Sequence, residues 1–409
     1  MKLSIGPVAE ERRDDWWAVQ QTVFGFDFKD DDKPLFAAVQ NWDRALGAYD
    51  GDQMVGSASS LSLAISVPGG SEVPAAGLTA VSVLPTHRRS GALTGMIRAS
   101  FDDARQREEP LGILLASESP IYGRFGYGVG THQADLTVDA DHSALRAGPP
   151  TTGRVRMIEV DEARRIVPAL NRSATVGRGI PGSVVRSEAM WELYFHDPDH
   201  WRDGASRRMW AVYEDKDGVP GGYVRYRVKE KWEKGVPDFT LNVFSLLAVD
   251  AEAYAALYSY VFGIDLVSTI ELWSRPVGDP IFELLADPRR VARVVRDGLW
   301  VRLIDVPAAL AARRYRVDER LVIEVQDDFC PWNEGRFLLE AGTDGASCSP
   351  TDAEPDIRIG AGDLASAYLG DGRLPAQAWA GRVHGDESAI ERADLVFSWG
   401  REAWNTVGF

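Results

Sequence analysis

The chain is poor in cysteine. Cys330 and Cys348 are the only two among 409 residues, and neither stands in a CxxC arrangement. A disulfide framework is thereby excluded, and each thiol reads as a small buried hydrophobe. Long apolar runs are also missing, so no stretch approaches the ~20 residues that a membrane span requires. The first residues, Met1-Lys2-Leu3-Ser4-Ile5-Gly6-Pro7, reach Glu10 without the apolar core of a secretory leader, which predicts a cytoplasmic location. Positive charge is in deficit. A net charge of −16 argues against nucleic acid as a partner, because phosphate contacts need a basic surface, and it suits a cationic ligand. Solenoid repeats and low-complexity tracts are absent. A metal centre is not expected either: His196 and His200 have helical ligand spacing, but Pro198 between them breaks the helix that would align them.

What the chain does have is length for two or three cores and one highly patterned stretch in its first third, residues 78–128. An alternating, β-branched strand through Leu78, Val81 and Val83 stops at Pro85, which cannot donate to a sheet ladder. His87, Arg88, Arg89, Ser90 and Gly91 form a basic turn that leads into Ala92, Leu93 and Thr94. From there Leu93, Met96, Ile97, Ser100 and Phe101 recur at helical spacing. A second apolar strand runs from Leu111 to Ala116, followed by Ser117, Glu118 and a glycine-punctuated segment carrying Tyr122 and Tyr127. A helix start exposes unpaired N–H groups and the positive end of its dipole. Two arginines placed there make a phosphate site, and Gly91 leaves room for close approach.

Upstream, Trp16, Trp17, Val19 and Val23 read as a short helix, and residues 44–49 and 53–63 as a hairpin around Asp50-Gly51-Asp52. Phe24, Phe26 and Phe28 precede the carboxylate run Asp30-Asp31-Asp32. This segment reads either as the wall of an amine-binding pocket or as a solvated acidic loop beside core aromatics. Residues 1–150 make a first domain. Residues 151–297 repeat the same grammar in weaker form, with strands at 154–160, 209–213, 222–228 and 269–273, a strand pair at 238–249, and helices at 162–170 and 251–262. The second helix starts at Asp250-Ala251-Glu252, whose charges would repel a pyrophosphate. Residues 298–409 form a third, α+β segment, with strands at 300–304, 320–325, 336–340 and 357–359 and helices at 306–313, 361–369 and 387–397.

Strand, basic glycine turn, helix, strand and polar tip with tyrosine resemble the GNAT acyltransferases. Arg88-x-x-Gly91-x-Leu93 is similar to their pyrophosphate turn, with Leu93 where Gly or Ala is usual. Val81-Ser82-Val83-x-Pro85-Thr86-His87-Arg88-Arg89, Ala116-Ser117-Glu118 and Ile121-Tyr122-Gly123-Arg124-Phe125-Gly126-Tyr127-Gly128 resemble the Eis (enhanced intracellular survival) family of actinobacterial acetyltransferases along the whole chain. The resemblance implies tandem GNAT folds, the second degenerate and without coenzyme, followed by a sterol-carrier-protein-like domain. It implies acetyl-CoA as co-substrate, a primary amine as acceptor (aminoglycoside, polyamine or lysine side chain), and a homo-hexamer. It implies coenzyme contacts from Val81, Ser82, Val83, Arg88, Arg89, Ser90, Gly91, Ala92, Leu93 and Thr94. Ser117 and Glu118 join them by family analogy or are simply a polar loop. Tyr122 becomes the general acid and the terminal carboxylate of Phe409 the base, although Gly408 stands where relatives that acetylate aminoglycosides often carry a carboxylate. The alternative is a non-catalytic ligand or lipid-binding protein on a decayed acyltransferase scaffold.

Overall fold

The computed structural model describes residues 3–371 and 373–409. They divide into two units, one of residues 1–131, 181–193 and 298–409, the other of residues 132–180 and 194–297.

The first unit begins with β1 (Ser4–Pro7), α1 (Arg13–Phe24), α2 (Lys33–Val39), β2 (Leu46–Asp50), β3 (Gln53–Ser66), β4 (Glu72–Val83), α3 (Ala92–Gln106), β5 (Leu111–Leu115) and β6 (Gly128–Val129). Its sheet has the order β1-β2-β3-β4-β5, then strand Leu299–Leu303, then β6. Every pairing is antiparallel except β4 with β5. A parallel pair needs a crossover, and α3 provides it. One face of α3 buries Ala92, Met96, Ile97, Phe101 and Ala104 against Ala48, Val55, Ala58, Ala76, Leu78 and Leu114 of the sheet. Its far end is fixed by Arg44, which is 4% exposed. That guanidinium donates to both carboxylate oxygens of Glu109 at 2.8 and 2.7 Å and lies 2.8 Å from Asp103. Removing one partner of such a buried pair typically costs about 3–5 kcal/mol, so the helix cannot slide along the sheet without a large penalty.

The other face of this sheet, through Leu61, Leu63, Ile65, Val73, Leu111 and Ile113, shares one continuous core with the C-terminal segment. That segment is a five-stranded sheet in the order Ser347–Pro350, Gly335–Ala341, Glu319–Gln326, Ile357–Gly360, Val383–Gly385, with helices Val306–Ala311, Ala361–Ala367, Leu374–Trp379 and Glu387–Phe397. The strands and helices expected there are present. Strands Ser347–Pro350 and Val383–Gly385 and helix Leu374–Trp379 are additional, being too short for periodicity to show.

The second unit is a seven-stranded sheet in the order Ala292–Asp297, His132–Asp139, Val267–Arg275, Phe239–Ala248, Pro220–Lys229, Met209–Glu214, Arg154–Ile158, with helices Val160–Ala174, Glu188–Phe195 (most of which belongs to the first unit) and Ala251–Phe262. Residues 238–249, expected as a strand pair, are one uninterrupted strand because no turn residue divides them. Strand His132–Asp139, upstream of residue 150, belongs to this sheet, whereas Leu299–Leu303, downstream of residue 297, belongs to the first. The reason lies in β5. Its residues Leu111–Leu114 are all buried, and an edge of that character needs a partner strand, which Leu299–Leu303 supplies from Leu299 opposite Leu115 to Leu303 opposite Leu111.

The start of helix Ala251–Phe262 is filled from within. Asp250 accepts from the Ala253 N–H at 2.8 Å. Glu252 accepts from the Tyr213 hydroxyl at 2.6 Å and from Thr152 Oγ1 at 2.9 Å, as well as from the Thr152 and Gly153 amides. These bonds, that from Tyr213 foremost, pull the Glu252 pKa down to about 2. A carboxylate whose folded pKa lies below its unfolded value of about 4.3 stabilises the fold above that value and loses the effect as pH falls toward 2. The difference in thermal midpoint between wild type and Glu252→Gln is therefore expected to be full at pH 6–7 and to narrow below about pH 4.3, as followed by circular dichroism.

Candidate active site

The site begins where two strands part. β4 pairs with β5 at Ala75, Ala76 and Gly77, and among the described residues the ladder goes no further, although β4 continues to Val83 and β5 to Leu115. The cause is an irregularity in β4. The β3–β4 register shifts between Ser57 and Ser59, and Ala80 takes φ 54°, a left-handed conformation that costs a non-glycine residue about 1–2 kcal/mol. Ser57 holds it there: its hydroxyl donates to the Ala80 carbonyl at 2.8 Å and lies 2.7 Å from Ser82 Oγ. The end of β4 turns away from β5 and leaves backbone groups of 79–83 on an open edge.

A cavity of about 540 Å³ occupies this opening, within the size range of small-ligand sites. It is lined by Val81, Ser82, Val83, Arg88, Arg89, Gly91, Ala92, Leu93, Thr94, Ser117, Glu118 and Tyr122, all singled out in the sequence. Ser90 stands behind the turn, its hydroxyl donating to the His87 carbonyl. Phe409 is not part of the lining. Its ring lies against the sheet at Gly77, where an added Cβ would come within 3.3 Å of Phe409 Cε2 and 2.5 Å of Leu63 Cδ1. Val23, Phe24, His87, Ile121 and Arg124 complete the cavity; Phe24 stands in the aromatic segment read as either a wall of an amine-binding pocket or an acidic loop beside core aromatics, and the other four had not been assigned to the site. Arg124 was within reach, since it stands in the segment that carries Tyr122. Val23, at the end of α1, arrives through tertiary packing that no local signal encodes.

The turn is built for an anion. Gly91, at φ 88°, caps α3 with no side-chain hydrogen bond and no acidic residue in the first turn. A Cβ there would meet no protein atom within 4 Å, so the glycine serves the backbone conformation and the approach of a ligand. The first amides of α3 thus face the cavity uncapped. Arg88 and Arg89 are exposed at its rim, and among the described residues neither has an ion-pair partner. An anionic chain with a pyrophosphate, as in acetyl-CoA, fits this arrangement of amides, dipole and free cations.

Tyr122 is 6% exposed. Burial, with the charge of Glu118 as a smaller contribution, raises its pKa above the usual phenol value. The phenol is therefore neutral and carries its proton throughout the physiological range. Tyr127, edge-on to Tyr122 at 6.0 Å, is fully buried against Gly112 and its pKa is driven up by desolvation. It packs in the core behind the site. Among the described residues no three His, Cys, Asp or Glu side chains are placed to hold a metal ion, and no helix is long and apolar enough to cross a membrane.

The tail that carries Phe409 is docked, with Trp404, Asn405 and Val407 buried. Asn405 folds its side chain over the backbone: Nδ2 donates to the Val407 carbonyl at 2.7 Å and Oδ1 accepts from the Val407 N–H at 3.0 Å.

A parted parallel strand pair above an uncapped, arginine-flanked helix start defines an acyltransferase of the GNAT class. The comparisons agree. Residues 4–130 and 182–303 each match a model described as an acetyltransferase (GNAT) domain, and residues 306–406 one described as a sterol carrier protein domain. An uncharacterized N-acetyltransferase of Streptomyces avermitilis is 41% identical over 97% of this chain and 98% of its own. N-acetyltransferase Eis of Mycobacterium tuberculosis is 35% identical over 86% and 85%. The crystal structure of Eis1 from Mycobacterium abscessus superposes with a TM-score of 0.86 over 100% of both chains, at 32% identity. The chain belongs to the Eis-like family of actinobacterial N-acetyltransferases. It is an enzyme of acetyl transfer with two GNAT folds followed by a sterol-carrier-protein-like domain, and GNAT acetyltransferases use acetyl-CoA.

The turn's cations are testable directly. Hydrogen bonds to charged groups are worth about 1.5–3 kcal/mol each, so Arg88→Glu/Arg89→Glu is expected to weaken acetyl-CoA binding by well over tenfold in calorimetry and to reverse its dependence on salt, because added salt then screens a repulsion instead of an attraction.

Proposed function

We propose that the protein transfers the acetyl group of acetyl-CoA directly to a primary amine of a cationic acceptor such as an aminoglycoside, a polyamine or a lysine side chain, with Tyr122 as general acid and the Phe409 carboxylate as base. The observation that carries this reading is the convergence of the uncapped turn, the open edge of β4 and Tyr122 on one cavity. Bound acetyl-CoA supplies the thioester. The amides from Arg89 to Thr94, with the Arg88 and Arg89 guanidiniums, hold the pyrophosphate. Val81 to Val83 offer strand-like hydrogen bonds to the amides of the coenzyme arm, and the Val83 N–H meets the thioester oxygen. Ser117 and Glu118 contact the coenzyme from the opposite wall.

Tyr122 gives its proton to the departing thiolate. In water a phenol and a thiol differ by ~1.5 pKa units, a cost of about 2 kcal/mol. Burial widens that gap for Tyr122 but keeps the acid loaded, and a desolvated thiolate is itself a stronger base. The base has the harder task, because a terminal carboxylate and an alkylammonium lie ~7 units apart in water. Desolvation lowers the ammonium and raises the carboxylate, and in this reading the acceptor, on binding over the docked tail whose Phe409 ring rests against Gly77, excludes the water. For the acceptor, Phe24 and Phe26 stack at 6.4 Å and are 48% and 41% exposed. With Asp27, Asp30 and Asp31 they give an aromatic and acidic approach for ammonium groups.

Tyr122→Phe is expected to lower kcat by about 10²–10⁴-fold while leaving acetyl-CoA affinity intact, measured by thiol release with spermidine, tobramycin and a lysine peptide as acceptors. A chain extended by three residues beyond Phe409 is expected to lose turnover in the same assay. Normal rates in the first variant remove the acid assignment, and normal rates in the second remove the base.

A further inference from the structure

Residues 182–193 lie within the second acetyltransferase match yet belong structurally to the first unit. They solve a local problem there. β2 pairs with β3 as far as Ala58, leaving the outer edge of β3 beyond it open. Residues 182–185 cover that edge in antiparallel fashion: Gly182 N donates to the Ser66 carbonyl at 2.7 Å, Ser66 N to the Ser183 carbonyl at 2.9 Å, and Val185 N to the Ala64 carbonyl at 2.9 Å. The same segment grips the C-terminal tail. Trp404 N donates to the Pro181 carbonyl at 2.8 Å, Ser183 Oγ to the Trp404 carbonyl at 3.4 Å, and the Arg186 guanidinium to the Thr406 carbonyl at 2.8 Å. Gly182 makes the close packing possible. It takes φ 83°, and a Cβ there would lie 2.7 Å from Thr131 Cγ2 and 3.6 Å from Trp404 N. Arg186 is steadied by stacking over Trp191 at 4.8 Å.

Chain ends ordinarily fray. Here β3, the 181–186 segment and residues 404–406 are laced in series, and β3 also carries Leu61 opposite Gly77, the residue on which Phe409 rests. We infer that the segment from Pro181 to Trp191 is a clamp that sets the position of Phe409, with Arg186 as its positioning residue. The second acetyltransferase copy thus contributes to the reaction of the first by holding the tail. The inference rests on the Phe409 carboxylate being the base, and the test separates the two.

The test uses the full-length enzyme with spermidine as acceptor. Small displacements of a reacting group cost up to about 10²-fold, so Arg186→Met is expected to lower kcat about 10- to 100-fold while the acetyl-CoA KM stays within about twofold. Arg186→Lys, which keeps the charge and a donor for the Thr406 carbonyl, restores most of the rate. Carboxypeptidase A releases Phe409 faster from Arg186→Met than from wild type, while a circular dichroism melt establishes that the variant is folded. If Arg186→Met misfolds, Arg186→Lys beside Arg186→Ser, whose side chain is too short to reach the Thr406 carbonyl, decides instead: equal rates in those two overturn the clamp. Unchanged kcat and unchanged Phe409 release in Arg186→Met overturn it as well, even where the extended chain is inactive. Turnover that survives the extension overturns the base assignment, and the clamp's catalytic purpose falls with it.

Discussion

The chemistry of this enzyme depends on β4 leaving β5 after Gly77. A parallel ladder carried to the strand ends would satisfy its own backbone and present no groove. The left-handed turn at Ala80, held by the Ser57 hydroxyl, breaks it at one point. From that break follow the cavity and the free edge of β4. The strain is local and small beside the burial of α3 against the same sheet, and the Arg44–Glu109 pair keeps the helix in place while the strands diverge.

The two acetyltransferase copies differ in what their helix starts offer an anion. Both hand a strand to a helix. In the first, the helix opens on Gly91 with no side-chain cap, beside Arg88 and Arg89, which have no ion-pair partner among the described residues. In the second, Asp250 takes the Ala253 amide of the helix start, and Glu252, tied to Thr152 and Gly153, adds a second negative charge beside it. A dipole end already neutralised by its own carboxylates gains nothing from a ligand of the same sign.

How much could be read in advance follows the range of the forces involved. The choice of Tyr122 over Tyr127 came from the family resemblance, whereas the turn from Arg88 to Thr94 and the strands around it are encoded by neighbours within a few residues, so spacing and residue type found them. The same holds for the hairpin 46–66 and for helix Ala251–Phe262 with its Asp250 cap. The exchange of strands His132–Asp139 and Leu299–Leu303 was not legible, because it is decided by which edge lacks a partner, a property of the assembled sheet. The same limit hid the place of Val23 in the cavity wall and of residues 181–186 on the edge of β3. Short elements such as Ser347–Pro350 escaped because two alternations are too few to tell from chance.

The pairing of Leu299 with Leu115 also has a meaning in time. On the ribosome, at about 5–20 residues per second, β5 waits roughly ten to forty seconds for the strand that covers it. Throughout that interval an apolar edge built of Leu111, Ile113 and Leu114 is open to any other chain. Contacts this distant along the polypeptide slow folding, so the nascent protein is a natural client of chaperones that shield strand edges.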